Sequence, residues 1–61
     1  MKKETLEQFK GRTIKLVLKT GFYYTCSIDF LDDDAVHVLD KFNQRHVFAL
    51  EQIAEVNELP R

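Results

Sequence analysis

The most constraining stretch of this sequence runs from Phe22 to Phe30, where the side chains alternate between two faces of an extended strand. Thr20-Gly21 precedes it as a hairpin-type connection, because glycine adopts positive φ without a steric cost. Three consecutive carboxylates, Asp32, Asp33 and Asp34, follow it and suit a turn. A strand this long is unusual in a small domain, so we expect it to bend sharply and to serve two parts of a barrel.

The rest of the chain predicts one short helix and four further strands. Thr5 and Gln8 have the spacing of a capping box, and Gly11 is a typical helix stop, so we expect a helix over about 5–10. Alternating or short apolar runs bounded by turn residues predict the strands. Their expected bounds are 13–19, 22–31, 35–39, 45–50 and 53–57. Consecutive short strands predict a mainly β fold, a strongly bent, five-stranded antiparallel barrel of the SH3-like type.

The length of 61 residues predicts a single domain spanning 1–61. A core this small usually needs support from disulfides, metal or oligomerisation. Cys26 is the only cysteine, which excludes an internal disulfide and fits a reducing compartment. Oligomerisation is therefore the favoured source of additional stability.

The charge and hydropathy of the chain are unremarkable in total. The net charge is −1, which is not typical of a nucleic-acid-binding protein. No apolar run approaches the ~20 residues that a membrane span needs, and the N-terminus lacks the apolar segment of a signal peptide. We expect a soluble, cytoplasmic protein without membrane partners.

Catalytic and metal sites are not indicated. His37, His46 and Cys26 have no compact ligand spacing, so a metal site is not expected. The carboxylates after Ile28 lack the glycine and distal glutamate of a calcium loop. No nucleophile–base set or phosphate-binding loop is present, so we predict neither enzyme activity nor a cofactor. Cys26 lies on the apolar parity of its strand and is interpreted as a core residue.

The sequence resembles the Sm/LSm family, which includes the bacterial Hfq proteins, over about residues 6–56. The first family motif is matched by Leu18, Gly21, Ile28, Asp32 and Leu39, and the second by Phe48, Ile53 and Val56. Cys26 replaces the second glycine of the first motif, and Leu31 replaces its aromatic residue. The resemblance implies an Sm-like fold and a homo-oligomeric ring of about five to seven copies.

The positions that bind uridine in the family differ here. By alignment they fall on Asp34, Val36 and Ala49, with Leu50 in place of a glycine. None of these side chains stacks on a base, pairs with its edge or carries a positive charge. The lysine–histidine pair of Hfq falls on Leu50 and Glu51. The resemblance therefore implies the ring but not the family's usual RNA site.

Asp32, Asp33 and Asp34 would line the pore of such a ring. One interpretation is a solvated acidic turn without a specific role. The other is a ring of carboxylates that repels RNA and attracts cations or a basic peptide.

Two functional classes remain open. The first is a ring that binds RNA or acts as an RNA chaperone through a basic surface, for which the candidate residues are Lys10, Arg12, Lys15, Tyr23 and Phe42. The aromatic members would stack on bases, although Tyr23 can equally be an ordinary surface aromatic. The second class is a structural or protein-binding ring with no RNA role. In both, the fourth strand of one copy would pair with the fifth strand of the next, through Val47, Phe48, Ile53 and Val56.

Overall fold

A computed structural model describes residues 1–59 of the chain as one short helix and five strands. The helix, α1, comprises Lys3–Glu7, and a 3₁₀ turn comprises Leu50–Gln52. The strands are β1 (Thr13–Leu18), β2 (Tyr23–Leu31), β3 (Ala35–Asp40), β4 (Arg45–Ala49) and β5 (Ile53–Glu58). The predicted mainly β class is confirmed, and each predicted strand is present with its ends shifted by at most one residue.

The strands form one open sheet in the order β4-β3-β2-β1-β5. All four pairings are antiparallel. Three of them, β1–β2, β2–β3 and β3–β4, join strands that follow one another in sequence, as expected. The last strand differs from that simple pattern because β5 pairs with β1 rather than with β4, with Leu16 opposite Val56. This crossover leaves β4 and β5 at the two edges of the described sheet.

The helix begins earlier than the sequence predicts. It occupies Lys3–Glu7 rather than 5–10, and its N-cap residue is Lys2, with no side-chain hydrogen bond at the cap. The predicted capping box is therefore wrong: Thr5 lies within the helix, where its N–H donates to the carbonyl of Lys2 at 3.2 Å. A helix this short depends on tertiary packing, which fully buried Leu6 supplies.

Strand β2 contains an irregularity that interrupts its alternation. Ile28 lies opposite Val38, whereas Phe30 lies opposite His37, so the register shifts by one at Asp29. A bulge of this kind generally bends its strand and increases the twist. It also changes the parity: Leu31 is buried and Phe30 is exposed, contrary to the continuous alternation expected up to Phe30.

The core lies on one face of the sheet and is entirely apolar apart from the thiol of Cys26. Strand β1 contributes Ile14 and Leu16, and β3 contributes Val36 and Val38, all fully buried. The other buried members are Leu6, Cys26, Ile28, Leu31, Leu50 and Ile53. Each large side chain of this kind contributes about 1.5–3 kcal/mol through burial.

The hairpin between β3 and β4 is fixed by one aspartate and one asparagine. Asn43 has φ of 62°, a conformation that asparagine tolerates better than most residues. The N–H groups of Phe42 and Gln44 both donate to Oδ1 of Asp40, at 2.8 and 2.9 Å. The polar loop expected between these strands is thus a tight, side-chain-supported turn. No helix within residues 1–59 has the length and apolar character needed to cross a bilayer.

Candidate functional site

The two edge strands are the most exposed part of the sheet framework. Strand β4 carries Arg45 and His46, and β5 carries Glu55 and Glu58. Val47 is 56% exposed on β4, while Phe48 and Val56 are partly buried against the core. An edge strand presents unpaired backbone N–H and C=O groups to any chain that approaches it. The two edges also differ in charge, although Arg45 pairs with Asp29, His46 with Asp40 and Glu58 with Arg12 within the chain.

The four residues predicted to pair between copies divide into two classes. Val47, Phe48 and Val56 have side chains at or near the surface of an edge strand. Ile53 is only 2% exposed and lies opposite Leu18 of β1. Its side chain therefore belongs to the core of its own chain, and only its backbone is available to a neighbouring copy.

An aromatic cluster supports β4 from the core side of the sheet. The ring centroids of Tyr24 and Phe48 are 5.0 Å apart, and those of Tyr24 and His46 are 5.3 Å apart. His46 and Phe48 stack at 6.0 Å with an interplanar angle of 11°. Tyr24 is therefore a partly buried packing residue that holds His46 and Phe48 of β4 against the core.

Lys15 and Tyr23 form the one pair of predicted RNA-binding residues that the structure brings together. The Nζ atom of Lys15 lies 4.5 Å from the centroid of the Tyr23 ring, in cation–π geometry. Tyr23 is 61% exposed. The surrounding outer face of the sheet includes Thr13 and Thr25, because residues paired across antiparallel strands share a face.

The other predicted RNA-binding residues lie elsewhere. Phe42 is exposed in the β3–β4 turn beside the Lys41 ammonium group. Arg12 forms an ion pair with Glu58 of β5, and Lys10 is exposed in the turn after α1. A further lysine near the N-terminus, Lys3, contacts Asp33 at 3.4 Å. The positive charges of the first fifteen residues are therefore partly paired with carboxylates.

The acidic turn lies between β2 and β3, next to the N-terminus of the chain. Asp33 and Asp34 line an open hollow with Lys2, Lys3 and Glu51. The main-chain carbonyl of Asp34 accepts a hydrogen bond from the N–H of Leu50 at 2.9 Å. Within residues 1–59 no group of three or more histidine, cysteine, aspartate or glutamate side chains is arranged to hold a metal ion.

Two histidine–aspartate pairs each include one residue of β3, and the sequence alone did not reveal either. Nε2 of His37 lies 2.9 Å from Oδ2 of Asp32, and Nε2 of His46 lies 2.8 Å from Oδ2 of Asp40. Each pair spans a hairpin turn, at a separation of five or six residues. An aspartate and a histidine on either side of a predicted turn is the signal that would have indicated them.

The pKa values of the Asp40 carboxyl and of the Cys26 thiol are shifted from their ordinary values. Hydrogen bonds lower the pKa of Asp40 below its ordinary value of 3.8, the largest effect coming from the N–H of Gln44 and a further one from His46. Burial raises the pKa of the Cys26 thiol to about 11, with a smaller contribution from the Asp40 carboxylate. Cys26 is therefore an inert core residue rather than a nucleophile.

Comparison with known proteins yields no match, since no family model fits the sequence and no curated protein or solved structure is significantly similar to the chain.

Proposed function

We propose that this chain is an Sm-like domain whose strongly bent sheet assembles into a homo-oligomeric ring, and that the ring binds single-stranded RNA on the outer face of β1 and β2. The strand order supports the assembly, because it leaves β4 and β5 as the two edges of the described sheet. Pairing between unlike edges is heterologous and forms a closed ring when the rotation between copies closes.

Charge and shape at the edges favour pairing between unlike strands. Arg45 on β4, which also pairs with Asp29 of its own chain, would face a strand that carries Glu55 and Glu58, the second of which pairs with Arg12. The partly exposed side chains of Phe48 and Val56 would meet on the core side of the joined sheet. Pairing like edges would instead oppose charges of the same sign, which is unfavourable.

The contact between Lys15 and Tyr23 is the observation that carries the RNA-binding part of the proposal. A base stacked on an exposed tyrosine gains about 1–3 kcal/mol, and an adjacent ammonium group neutralises phosphate. Lys15 and Tyr23 present both groups within 4.5 Å of each other. The family's uridine positions carry Asp34, Val36 and Ala49, none of which suits a base or a phosphate, so the RNA site is proposed on this outer face rather than at the pore.

Native mass spectrometry and gel shifts test the two parts separately. The intact chain should form one closed oligomer at micromolar concentration, and a monomer would refute the ring. RNA affinity should be measured with U-rich and A-rich single strands at two salt concentrations. Tyr23→Ala should weaken binding about tenfold, whereas Phe30→Ala removes another exposed aromatic and should leave affinity unchanged.

A charge-matched pair of variants completes the test. Lys15→Glu should reduce RNA binding and its salt dependence, while Lys2→Glu changes the net charge equally at the N-terminal end of the chain and should have little effect. The absence of RNA binding at low salt would favour a structural or protein-binding ring instead. Equal losses for both lysine variants would contradict an RNA site at Lys15.

A further inference from the structure

Three side chains form a continuous stripe on the outer face of β2, β3 and β4. Phe30 lies opposite His37, and His37 lies opposite Val47. The rings of Phe30 and His37 meet edge to face, with centroids 5.4 Å apart. Phe30 is 54% and Val47 56% exposed. We call these three residues the outer stripe; at ordinary strand spacing it spans about 10 Å.

The outer stripe differs in charge from two of the other exposed aromatic positions, whereas Phe22, which is 71% exposed, resembles it in having no lysine or arginine over its ring among residues 1–59. Tyr23 and Phe42 each have a lysine ammonium group over the ring. Among residues 1–59 no lysine or arginine lies over the ring of Phe30, whose aromatic neighbour is His37. A cation above a ring favours contact with phosphate or carboxylate, and the outer stripe lacks that feature.

Two carboxylates lie next to the outer stripe, and two more lie in the adjoining turn. Asp32 contacts the His37 ring, and Asp29 precedes Phe30 and pairs with Arg45 at 3.4 Å. The turn beyond Asp32 adds Asp33 and Asp34, of which Asp33 contacts Lys3. Four carboxylates against the cations of Arg45 and Lys3 leave an excess of two negative charges when His37 is neutral.

We infer that the outer stripe docks a basic, apolar peptide segment of a partner protein. An apolar side chain of the segment would cover Phe30 and Val47, and its lysine or arginine residues would pair with Asp32, Asp33 and Asp34. Charge complementarity of this kind sets the choice of partner and speeds association.

The same charges disfavour the other possible occupants. RNA would bring phosphates to a surface with excess negative charge, which opposes the neutralisation that nucleic-acid binding requires. A second copy of this face would place identical carboxylates opposite one another. The inference does not depend on the proposed ring or on RNA binding at β1 and β2.

The experiment uses the ¹⁵N-labelled full chain and a synthetic 14-residue peptide of leucine and lysine. A second peptide, with glutamate in place of lysine, is the matched control. The lysine peptide should shift the amide resonances of Phe30, His37 and Val47, and the glutamate peptide should not. Phe30→Ser should weaken binding about tenfold, Asp33→Asn with Asp34→Asn about threefold, and Phe42→Ser, which changes a more exposed phenylalanine, not at all.

Four results would overturn the inference. They are no binding of the lysine peptide at low salt, shifts centred on Tyr23 rather than on the outer stripe, an affinity unchanged by Phe30→Ser, and equal binding of the two peptides. Shifts of Phe30 and His37 caused by RNA would assign the surface to RNA, and shifts of the same two residues on raising the protein concentration without peptide would assign it to a second copy. Val47 is left out of this comparison because it also lies on the β4 edge. Unchanged amide spectra outside the mutated position establish that each variant is folded.

Discussion

Asp40 and His46 join β3 to β4 through their side chains, with Oδ2 of the aspartate 2.8 Å from Nε2 of the histidine. The ionised carboxylate only accepts hydrogen bonds, so Nε2 of His46 carries the hydrogen. Oδ1 of the same carboxylate accepts the N–H groups of Phe42 and Gln44. One side chain therefore determines both the shape of the turn and the position of the edge strand after it.

Asp40 should make the stability of the protein depend on pH in the acid range. Its pKa is lowered in the folded state, so its contribution to the free energy of unfolding is present above pH 3.8 and disappears as the pH falls through the folded-state pKa. Asp40→Ala should reduce stability at pH 7. It should also flatten the acid limb, which is the fall in the free energy of unfolding as the pH decreases. Asp40→Asn, which retains an oxygen acceptor for the two N–H groups, should lose less stability at pH 7.

Chemical denaturation between pH 2 and 7 measures this effect. Asp33→Asn is the control, because that carboxylate is fully exposed and makes only a long contact with Lys3. An acid limb that is equally steep in the wild type and in Asp40→Ala would contradict the role assigned to Asp40.

Cys26 should resist alkylation as long as the chain is folded. Its pKa of about 11 leaves roughly one thiol in a thousand ionised at pH 8, and only the thiolate reacts readily. Burial to 3% exposure also restricts access of the reagent. Labelling with iodoacetamide should be slow in buffer and fast in guanidinium chloride; rapid labelling of the native protein would show that the core opens or that the thiol is ionised.

Val47 provides a test of edge pairing that leaves the core intact. Val47→Glu would place a negative charge beside the acidic β5 strand of a neighbour, whereas Val47→Lys would place a positive charge there. The glutamate variant should dissociate at a protein concentration about tenfold higher than the lysine variant does. Sedimentation velocity at low and high salt measures the difference, which should shrink with salt because exposed charges are screened. Identical dissociation of the two variants would exclude β5 as the partner strand.

Replacing Ile53 should lower the stability of the fold rather than weaken assembly directly. Ile53→Ala creates a cavity in the core and should reduce the free energy of unfolding by about 2–5 kcal/mol. Val56→Ala, at a partly buried position of the same strand, should cost less. Urea denaturation measures both, and an Ile53→Ala variant of near-native stability that no longer oligomerises would contradict the core assignment.

The sequence was sufficient to locate the strands because alternation and turn residues are local signals. Gly21 and the run from Asp32 to Asp34 predict ends for β1 and β2 that lie within one residue of the observed ends. The predicted helix begins later in the sequence than the observed one. Thr5 and Gln8 satisfy a cap pattern, but the packing of Leu6 overrides it. The capping-box pattern reflects only which side chains can form hydrogen bonds with the backbone. It contains no information about where the sheet lies.

The contacts that matter for the candidate sites were harder to predict. The pairing of β5 with β1 depends on which edge the chain returns to, and no residue of β5 specifies that locally. The change of parity in β2 depends on one extra residue at Asp29, which resembles any other outward-facing polar position. The contact between Lys15 and Tyr23 follows only once the β1–β2 register places Lys15 opposite Thr25.

The bulge at Asp29 also limits how the length of β2 can change in evolution. Replacing Asp29 leaves the backbone count unchanged and should be tolerated, because the side chain points into solvent apart from its contact with Arg45. Deleting it would restore simple alternation, with Phe30 still opposite His37 and Leu31 still opposite Val36, but it would remove the bend and the additional twist that a bulge gives its strand. Substitutions at this surface position are therefore permitted where a deletion is not, and the spacing between Ile28 and Leu31 should vary less among homologous chains than the identity of the residue that fills it.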